Sequence, residues 1–485
     1  MESLSGDPRA DVRGDLETRN EPGQIQEPLD AARTRPCLIE TASLWPLWKC
    51  VLGPGLTLVV ASIMAPIYRS SMRPPADRIV DFFQEWASAR NYLEGLPVYA
   101  NHRVSLPRYL TLRTLRPQDL SIEVNAHPPT SVLLALPFAR LHYPDAVLVW
   151  NLTSLGMLGV SLFVIWRGFG IPFSLWWSFP LITSLLICPP LITQVYFGQL
   201  NLVILLLLTG TWAADRSGRP LLAGVLLGTA ATIKLFPGFL FLYFIFRGQW
   251  RSLLAGVITI ALLTGLTATV LGLEAYRAYT VDVLPCVSGF RGKWLNASLT
   301  GFWVKLFDPP PNEVQVQPLW HSPAIARLGT VATCAAVVIS LAWIVRRATT
   351  RTEQDLAFGL ALTAMLLVSP VTWDHYLLLL PIPIIAIGRG LPRSRAARML
   401  FAGILVAFWS SPVLIQSLMI PGGRFHGIAH PLHTVTVLSY QCYALIALFS
   451  LGVVEAMRYR KCAASDSPST DAGGEARGSH SLADV

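Results

Sequence analysis

Apolar runs of about 16–24 residues recur between positions 44 and 456, and short polar loops carrying arginine separate them. A run of that length, wound as a helix, crosses the hydrocarbon core of a bilayer, where only helices and closed barrels satisfy their own backbone. The pattern predicts an all-α polytopic integral membrane protein with about twelve transmembrane helices, eleven to thirteen depending on how the short runs are read. The spans fall near 46–66, 145–166, 172–190, 199–214, 219–235, 237–247, 252–272, 323–345, 354–370, 375–388, 397–419 and 431–454. The run 128–142, marked by Pro128, Pro129 and Pro137, reads as a half-helix or as a true span, and Pro237 splits one kinked pair. Residues 1–43 and 457–485 are expected to be disordered cytoplasmic tails around a membrane domain, 44–456. No cleavable signal peptide is expected, because the first apolar run begins after position 43.

The composition agrees: 53% of residues are hydrophobic and 14% are charged, where soluble domains carry about 25%. A soluble bundle of buried helices is therefore disfavoured. The net charge of +9 could suggest a nucleic-acid partner. Its arginines, however, cluster in short loops: Arg216 and Arg219, Arg247 and Arg251, Arg346 to Arg351, Arg389 to Arg398, and Arg458 to Lys461. Such loops mark the cytoplasmic side, so no nucleic acid is needed. A multi-pass protein of the cell (inner) membrane follows, with both termini cytoplasmic. The outer face then receives the first loop 67–127, residues 189–200, the end of the span bearing Lys234, the long loop 273–322, and residues 369–375 and 421–430. Most unusual polar residues lie there, so any chemistry is expected on the extracytoplasmic face. The seven cysteines form no CxxC pair, so neither a disulfide frame nor a metal site is read from them.

Lys234 is the sharpest chemical signal. It is one of only five lysines, against 33 arginines, and it lies within the apolar stretch 221–246. An ammonium at membrane depth costs several kcal/mol unless a polar cavity or partner receives it. A buried carboxylate is the plainer partner, but few acidic residues occur in the spans. In the first outer loop, Phe82, Phe83, Trp86, Ala89, Tyr92 and Leu93 recur at helical spacing, which predicts an amphipathic helix on the membrane surface. Asp81 stands at its start, either as an N-cap or as a catalytic base, with Asp77 and Glu85 as competitors for the second role. His127, before Pro128 and Pro129, can bind a phosphate or a sugar hydroxyl, or can be structural. Gln199 and Asn201 can pair with sugar hydroxyls or join helices. Arg291, Lys293, Trp294 and Asn296 share one loop suited to a phosphate or a sugar. Trp373, Asp374, His375 and Tyr376 sit at the outer rim, where Asp374 can tune the His375 ring. No nucleotide loop, dinucleotide fingerprint or zinc helix is present, so the energy for a reaction must arrive with its substrate.

Several of these pieces occur in an order that resembles the family 87 glycosyltransferases, the DUF2029 group of GT-C membrane enzymes that includes polyprenol-phosphate-mannose-dependent mannosyltransferases. They are Asp81 with Gly95-Leu-Pro-Val-Tyr99, His127-Pro-Pro129, Gly198-Gln-Leu-Asn201, Ile233-Lys234-Leu-Phe-Pro237, Asn296-Ala-Ser298 and Ser369-Pro-Val-Thr-Trp373-Asp-His375. The resemblance covers about residues 47–455. It implies a GT-C fold with an outer-face active site, a polyprenyl-phosphate sugar donor, a lipid or glycan acceptor, and inverting transfer without metal or cofactor. Asp81 would be the catalytic base. Lys234 and His375, with Arg291 and Lys293, would hold the donor phosphate. His127, Gln199, Asn201, Asn296 and Trp373 would contact sugar or acceptor. The family often has Tyr or Phe where this chain has His127, and a second histidine beside the position of His375. A transporter or flippase for an anionic or lipid-linked solute is the alternative; it accounts for Lys234 but not for the loop around Asp81.

Overall fold

A computed structural model describes residues 51–75, 78–110, 123–172, 174–310, 316–392, 394–422 and 427–465. Of the expected terminal tails, residues 457–465 are described and continue the helix Tyr440–Ser465; the rest of both tails and the competitor Asp77 lie outside the described residues. Within them the chain is helical, and one isolated bridge, Val316 to Ala429, is the nearest approach to a sheet.

Four helices are long and apolar enough to cross a membrane: Tyr143–Gly168, Trp250–Leu271, Pro323–Val345 and Pro431–Tyr459. Two bent pairs, Ser178–Leu186 with Pro189–Phe197 and Arg395–Phe408 with Pro412–Met419, raise the number to six if each is one span. A polytopic helical membrane protein is thus the architecture, while the count of twelve is not reached on length and composition. Proline is one physical reason, since it ends or bends runs that hydropathy alone reads as whole spans; other runs are short, such as Asn201–Arg216, or charged at one end, such as Arg351–Val368. The run after His127 forms only Pro129–Phe138, about 15 Å of helix at 1.5 Å per residue, which is a half-helix. Trp250–Leu271 turns Leu254, Val257, Ile258, Leu262 and Leu266 outward, all at least 48% exposed, as a lipid-facing helix does. By contrast Arg351–Val368 is buried along nearly its whole length and forms the centre of the bundle.

The helix Pro220–Ile233, which leads to Lys234, lies hard against Trp250–Leu271. A Cβ at Gly224 would stand 2.1 Å from the Ser252 carbonyl oxygen, and one at Gly228 would stand 2.6 Å from that of Gly256. This small-xxx-small pair lets the two backbones touch.

The chain sorts its charges by end. Helices Asn201–Arg216, Pro220–Ile233 and Arg351–Val368 each have one terminus near Lys234 and the other among the arginine loops. At the arginine end Asp355 pairs with Arg216 and accepts from Trp212 Nε1 at 2.9 Å. Asp215 accepts from Tyr243, Arg247 and Gln249 at 2.8–2.9 Å. These groups satisfy one another. The opposite end holds a large cavity.

One expectation changes. Helix Phe83–Leu93 exists, but it does not rest on a membrane surface: Gln84, Glu85, Ser88 and Asn91 on its polar side are buried, as are Phe83, Trp86 and Ala87. The polar side is spent on hydrogen bonds to a neighbouring loop and to the helix His102–Tyr109, with Gln84 bound to Ala126 N, Ser88 to Asn125 and Asn91 to Ser105 and Tyr109.

Candidate active site

The cavity, about 1370 Å³, is walled by the segments the sequence places outside. Lys234 reaches it because the helix stops at Ile233 and the backbone of Lys234 is extended (φ −137°, ψ 141°). Pro237 then continues the chain in a tight turn, Phe236–Leu240. The ammonium donates to Gln199 Oε1 at 3.1 Å and to Asn201 Oδ1 at 3.0 Å, and it lies 4.8 Å from the centre of the Tyr376 ring.

Gln199 is held by a sharp stop in the chain. Gly198 ends helix Pro189–Phe197 in the left-handed region (φ 65°), and a Cβ there would come within 2.9 Å of Phe82 Cβ. Trp150 Nε1 donates to the Gly198 carbonyl at 2.8 Å while its ring stacks on Phe82. Phe82 N in turn donates to Phe197 O at 3.0 Å. The first outer loop is thereby stitched to this turn, and Asp81 meets Gln199: Nε2 donates to Asp81 Oδ2 at 2.6 Å.

Asp81 does not cap the following helix. The N-cap position is Phe82, without a side-chain bond, so the capping account of Asp81 falls away. Burial pushes the Asp81 carboxyl above the usual carboxylate range, opposed by the Gln199 hydrogen bond and by His375. One amide therefore joins the carboxylate and the ammonium: Gln199 donates to Asp81 and accepts from Lys234.

His375 lies 5% exposed on the same wall. Its Nδ1 is 3.2 Å from Asp374 Oδ1, and Thr193 donates to Asp374 Oδ2 at 2.9 Å. Among the described residues its Nε2 is buried and unpartnered, an arrangement that leaves one ring nitrogen for a ligand. Arg291 and Lys293 line the rim, and Trp373 packs edgewise on Phe290 at 6.3 Å. His127 also lines the cavity, with Nδ1 bonded to buried Glu85.

Two expected contact residues are placed otherwise. Asn201 is fully buried behind the wall, accepting from Lys234 and donating to Gln194 at 3.0 Å, so it positions the lysine. Asn296 spends its amide on backbone: it donates to Arg291 O and Pro370 O and accepts from Ser298 N and Thr372 N at 2.9–3.0 Å. It braces two rim loops. Glu85, the competitor of Asp81, reaches the cavity only through His127. Thr193 and Gln194 carry no signal in the sequence as parts of the site, because each is an ordinary polar residue in an apolar run; Tyr376, expected at the outer rim, lies there with its ring facing Lys234. Among the described residues no three His, Cys, Asp or Glu side chains gather as metal ligands do.

The chain that builds this cavity is similar in sequence to curated proteins. Two are polyprenol-phosphate-mannose-dependent alpha-(1-2)-phosphatidylinositol mannoside mannosyltransferases. The one from Mycolicibacterium smegmatis is 25% identical over 347 residues, covering 66% of this chain and 71% of that protein. The one from Mycobacterium tuberculosis is 25% identical over 349 residues, covering 68% and 75%. The family model for glycosyltransferase family 87 matches residues 125–370, which include His127, Gln199, Lys234, Arg291 and Lys293, while Asp81 and His375 flank the matched stretch. That match takes in half of the sequence and most of the cavity wall, and by it the chain belongs to glycosyltransferase family 87.

Proposed function

We propose that this protein transfers a hexose, mannose before others, from a polyprenyl-phosphate donor to a hydroxyl of a lipid or glycan acceptor. The observation that carries the reading is the Asp81–Gln199–Lys234 bridge on the cavity wall. The acceptor oxygen loses its proton to Asp81 as it attacks the anomeric carbon. The bond from that carbon to the phosphate oxygen breaks, and the polyprenyl phosphate leaves with the charge. A single displacement inverts the carbon. Lys234 has one N–H beyond its two amide bonds, and His375, carrying a proton on each ring nitrogen beside Asp374, donates from Nε2; with Arg291 and Lys293 at the rim they meet the developing phosphate charge. No metal or cofactor enters this scheme. Gln199 holds base and cation in fixed register, so neither neutralises the other by direct contact.

The names of both relatives specify polyprenol-phosphate-mannose as donor and a phosphatidylinositol mannoside as acceptor, which supports a lipid-linked sugar and a mannosylated lipid here. The reading places the cavity at the extracytoplasmic face of the cell membrane, on a GT-C fold, with both termini in the cytoplasm. The arginine loops at the far end of the bundle support that orientation.

The test is transfer in membranes containing the protein. Label from polyprenyl-phosphate mannose should enter a lipid product, and donors carrying arabinose or glucose should give less. No product with any donor, together with label crossing sealed vesicles unchanged, would favour a transporter instead.

A further inference from the structure

Glu85 and His127 form a second polar pair on the cavity wall, and the transfer step above does not use it. Glu85 is 2% exposed, and a buried carboxylate is costly unless it is paired. Its partner is the Nδ1 of His127, 42 residues away, and that ring stays open to the cavity. Among the described residues its Nε2 has no hydrogen bond, and it is not one of the buried unpartnered atoms. A carboxylate at Nδ1 calls for the proton there, so the uncharged ring presents Nε2 as a hydrogen-bond acceptor.

The loop that carries the ring is fixed with unusual care. Asn125 Oδ1 accepts from His127 N at 2.9 Å, and Tyr99 donates to His127 O at 2.6 Å. Gln84 Oε1 accepts from Ala126 N at 3.0 Å, and Ser88 and Asn125 bond side chain to side chain. Pro128 and Pro129 then stiffen the exit. A histidine needed only to neutralise Glu85 would be closed off; this one is mounted rigidly with one nitrogen facing the space where the substrates meet.

We propose that Glu85 and His127 form a sugar-hydroxyl site, in which Nε2 of His127 accepts a hydrogen bond from a hydroxyl near the reacting centre and Glu85 is the positioning residue that fixes the ring. The site rests on the transferase reading for its substrates. The hydroxyl belongs to the acceptor sugar or to the donor hexose, and the test separates the two.

The full-length protein in nanodiscs is given polyprenyl-phosphate mannose and octyl mannoside, then the monodeoxy analogues of each in turn. In the wild type, loss of the contacted hydroxyl should lower kcat/KM about tenfold. His127→Asn keeps an N–H for Glu85 and removes Nε2. It should abolish the penalty for that one analogue and leave the penalties for the others unchanged. Selectivity lost among acceptor analogues assigns the hydroxyl to the acceptor, and among donor analogues to the donor. Glu85→Leu should flatten the same analogue's penalty, and Glu85→Gln should largely restore it. Uniform loss across every analogue, or an unaltered pattern in His127→Asn, would overturn the site. Thermal stabilisation by the same analogues is measured in parallel. A His127-dependent pattern in binding without any transfer would sink the transferase reading and keep the hydroxyl site, and absence of both would sink the two together.

Discussion

Lys234 and Lys305 are both fully buried, at 2% and 0% exposure, yet they are held in opposite ways. Lys305, on helix Leu299–Phe307, gives its ammonium to three backbone carbonyls, Trp294 O, Asn296 O and Leu438 O, at 2.9–3.3 Å. Every donor is consumed, and no room is left for a ligand. Lys234 gives two donors to side-chain amides, faces an aromatic ring and borders a cavity. The first is a closed knot tying two loops to its own helix; the second keeps a place for an anion. Burial of a charge therefore does not announce function. What distinguishes the two is whether the protein has finished satisfying the charge.

The comparison breaks most visibly under the same substitution at both sites. Lys305→Met orphans three buried carbonyls and should cost about 3 kcal/mol or more, read as loss of folded protein in detergent. Lys234→Met leaves Gln199 on the cavity wall, within reach of water, and orphans the buried Asn201 Oδ1 alone. It should keep the fold while turnover falls about 10²- to 10³-fold through weaker stabilisation of the leaving phosphate. A folded, active Lys305→Met or an unfolded Lys234→Met would reverse the assignment.

A smaller effect sharpens the role of the shared amide. Burial raises the Asp81 pKa, so the base is protonated, and turnover is lost, as pH falls through a value above the ordinary carboxylate range of about 4. Gln199→Leu removes a hydrogen bond that favours the carboxylate, and the acid limb of kcat/KM should move to higher pH. The sign for stability is the reverse. A raised carboxyl pKa contributes stability below the unfolded value that is lost as pH rises through the folded one.

The smallest effect concerns a histidine outside the cavity. His102 is 3% exposed, has no partner on either ring nitrogen among the described residues, and packs edgewise on Phe83. Burial lowers its pKa to about 4. The folded state excludes a proton that the unfolded chain binds, so stability is full above the ordinary value of about 6.5 and declines as pH falls toward 4, by at most about 1.4 kcal/mol per pH unit. His102→Leu should flatten that decline in thermal unfolding, and an unchanged pH profile would show that the ring is solvated.

The sequence exposed this site unevenly, and the two lysines show why. A charge in an apolar run is visible, so Lys234 stands out, as does Pro237 beside it. Lys305 lies in a shorter apolar piece, 299–307, that ends at Asp308 and three prolines, and its sequence does not tell that backbone carbonyls consume its charge. Arginine placement sorted the loops well enough that Asp81, His127, Gln199, Lys234, Arg291, Lys293, Trp373 and His375 do share one cavity. Partners distant in sequence were not legible. Asn201 and Asn296 are amides like Gln199, yet one holds a lysine and the other holds backbone. Thr193 steadies Asp374 across 181 residues. The helical period of 83–93 matches the helix Phe83–Leu93, but its polar side is buried against a loop and a second helix instead of facing water, since period reports which side chains align and not what covers them. Hydropathy likewise counted proline-broken half-helices as spans.

The most direct measurement of the central claim is single-turnover mannosyl transfer by Asp81→Asn beside wild type in membranes, with labelled polyprenyl-phosphate mannose and its binding followed in parallel. The account expects donor binding to persist while product formation drops at least about 10²-fold. Product formed at the wild-type rate would contradict Asp81 as the base and, with it, the chemistry assigned to the Asp81–Gln199–Lys234 bridge.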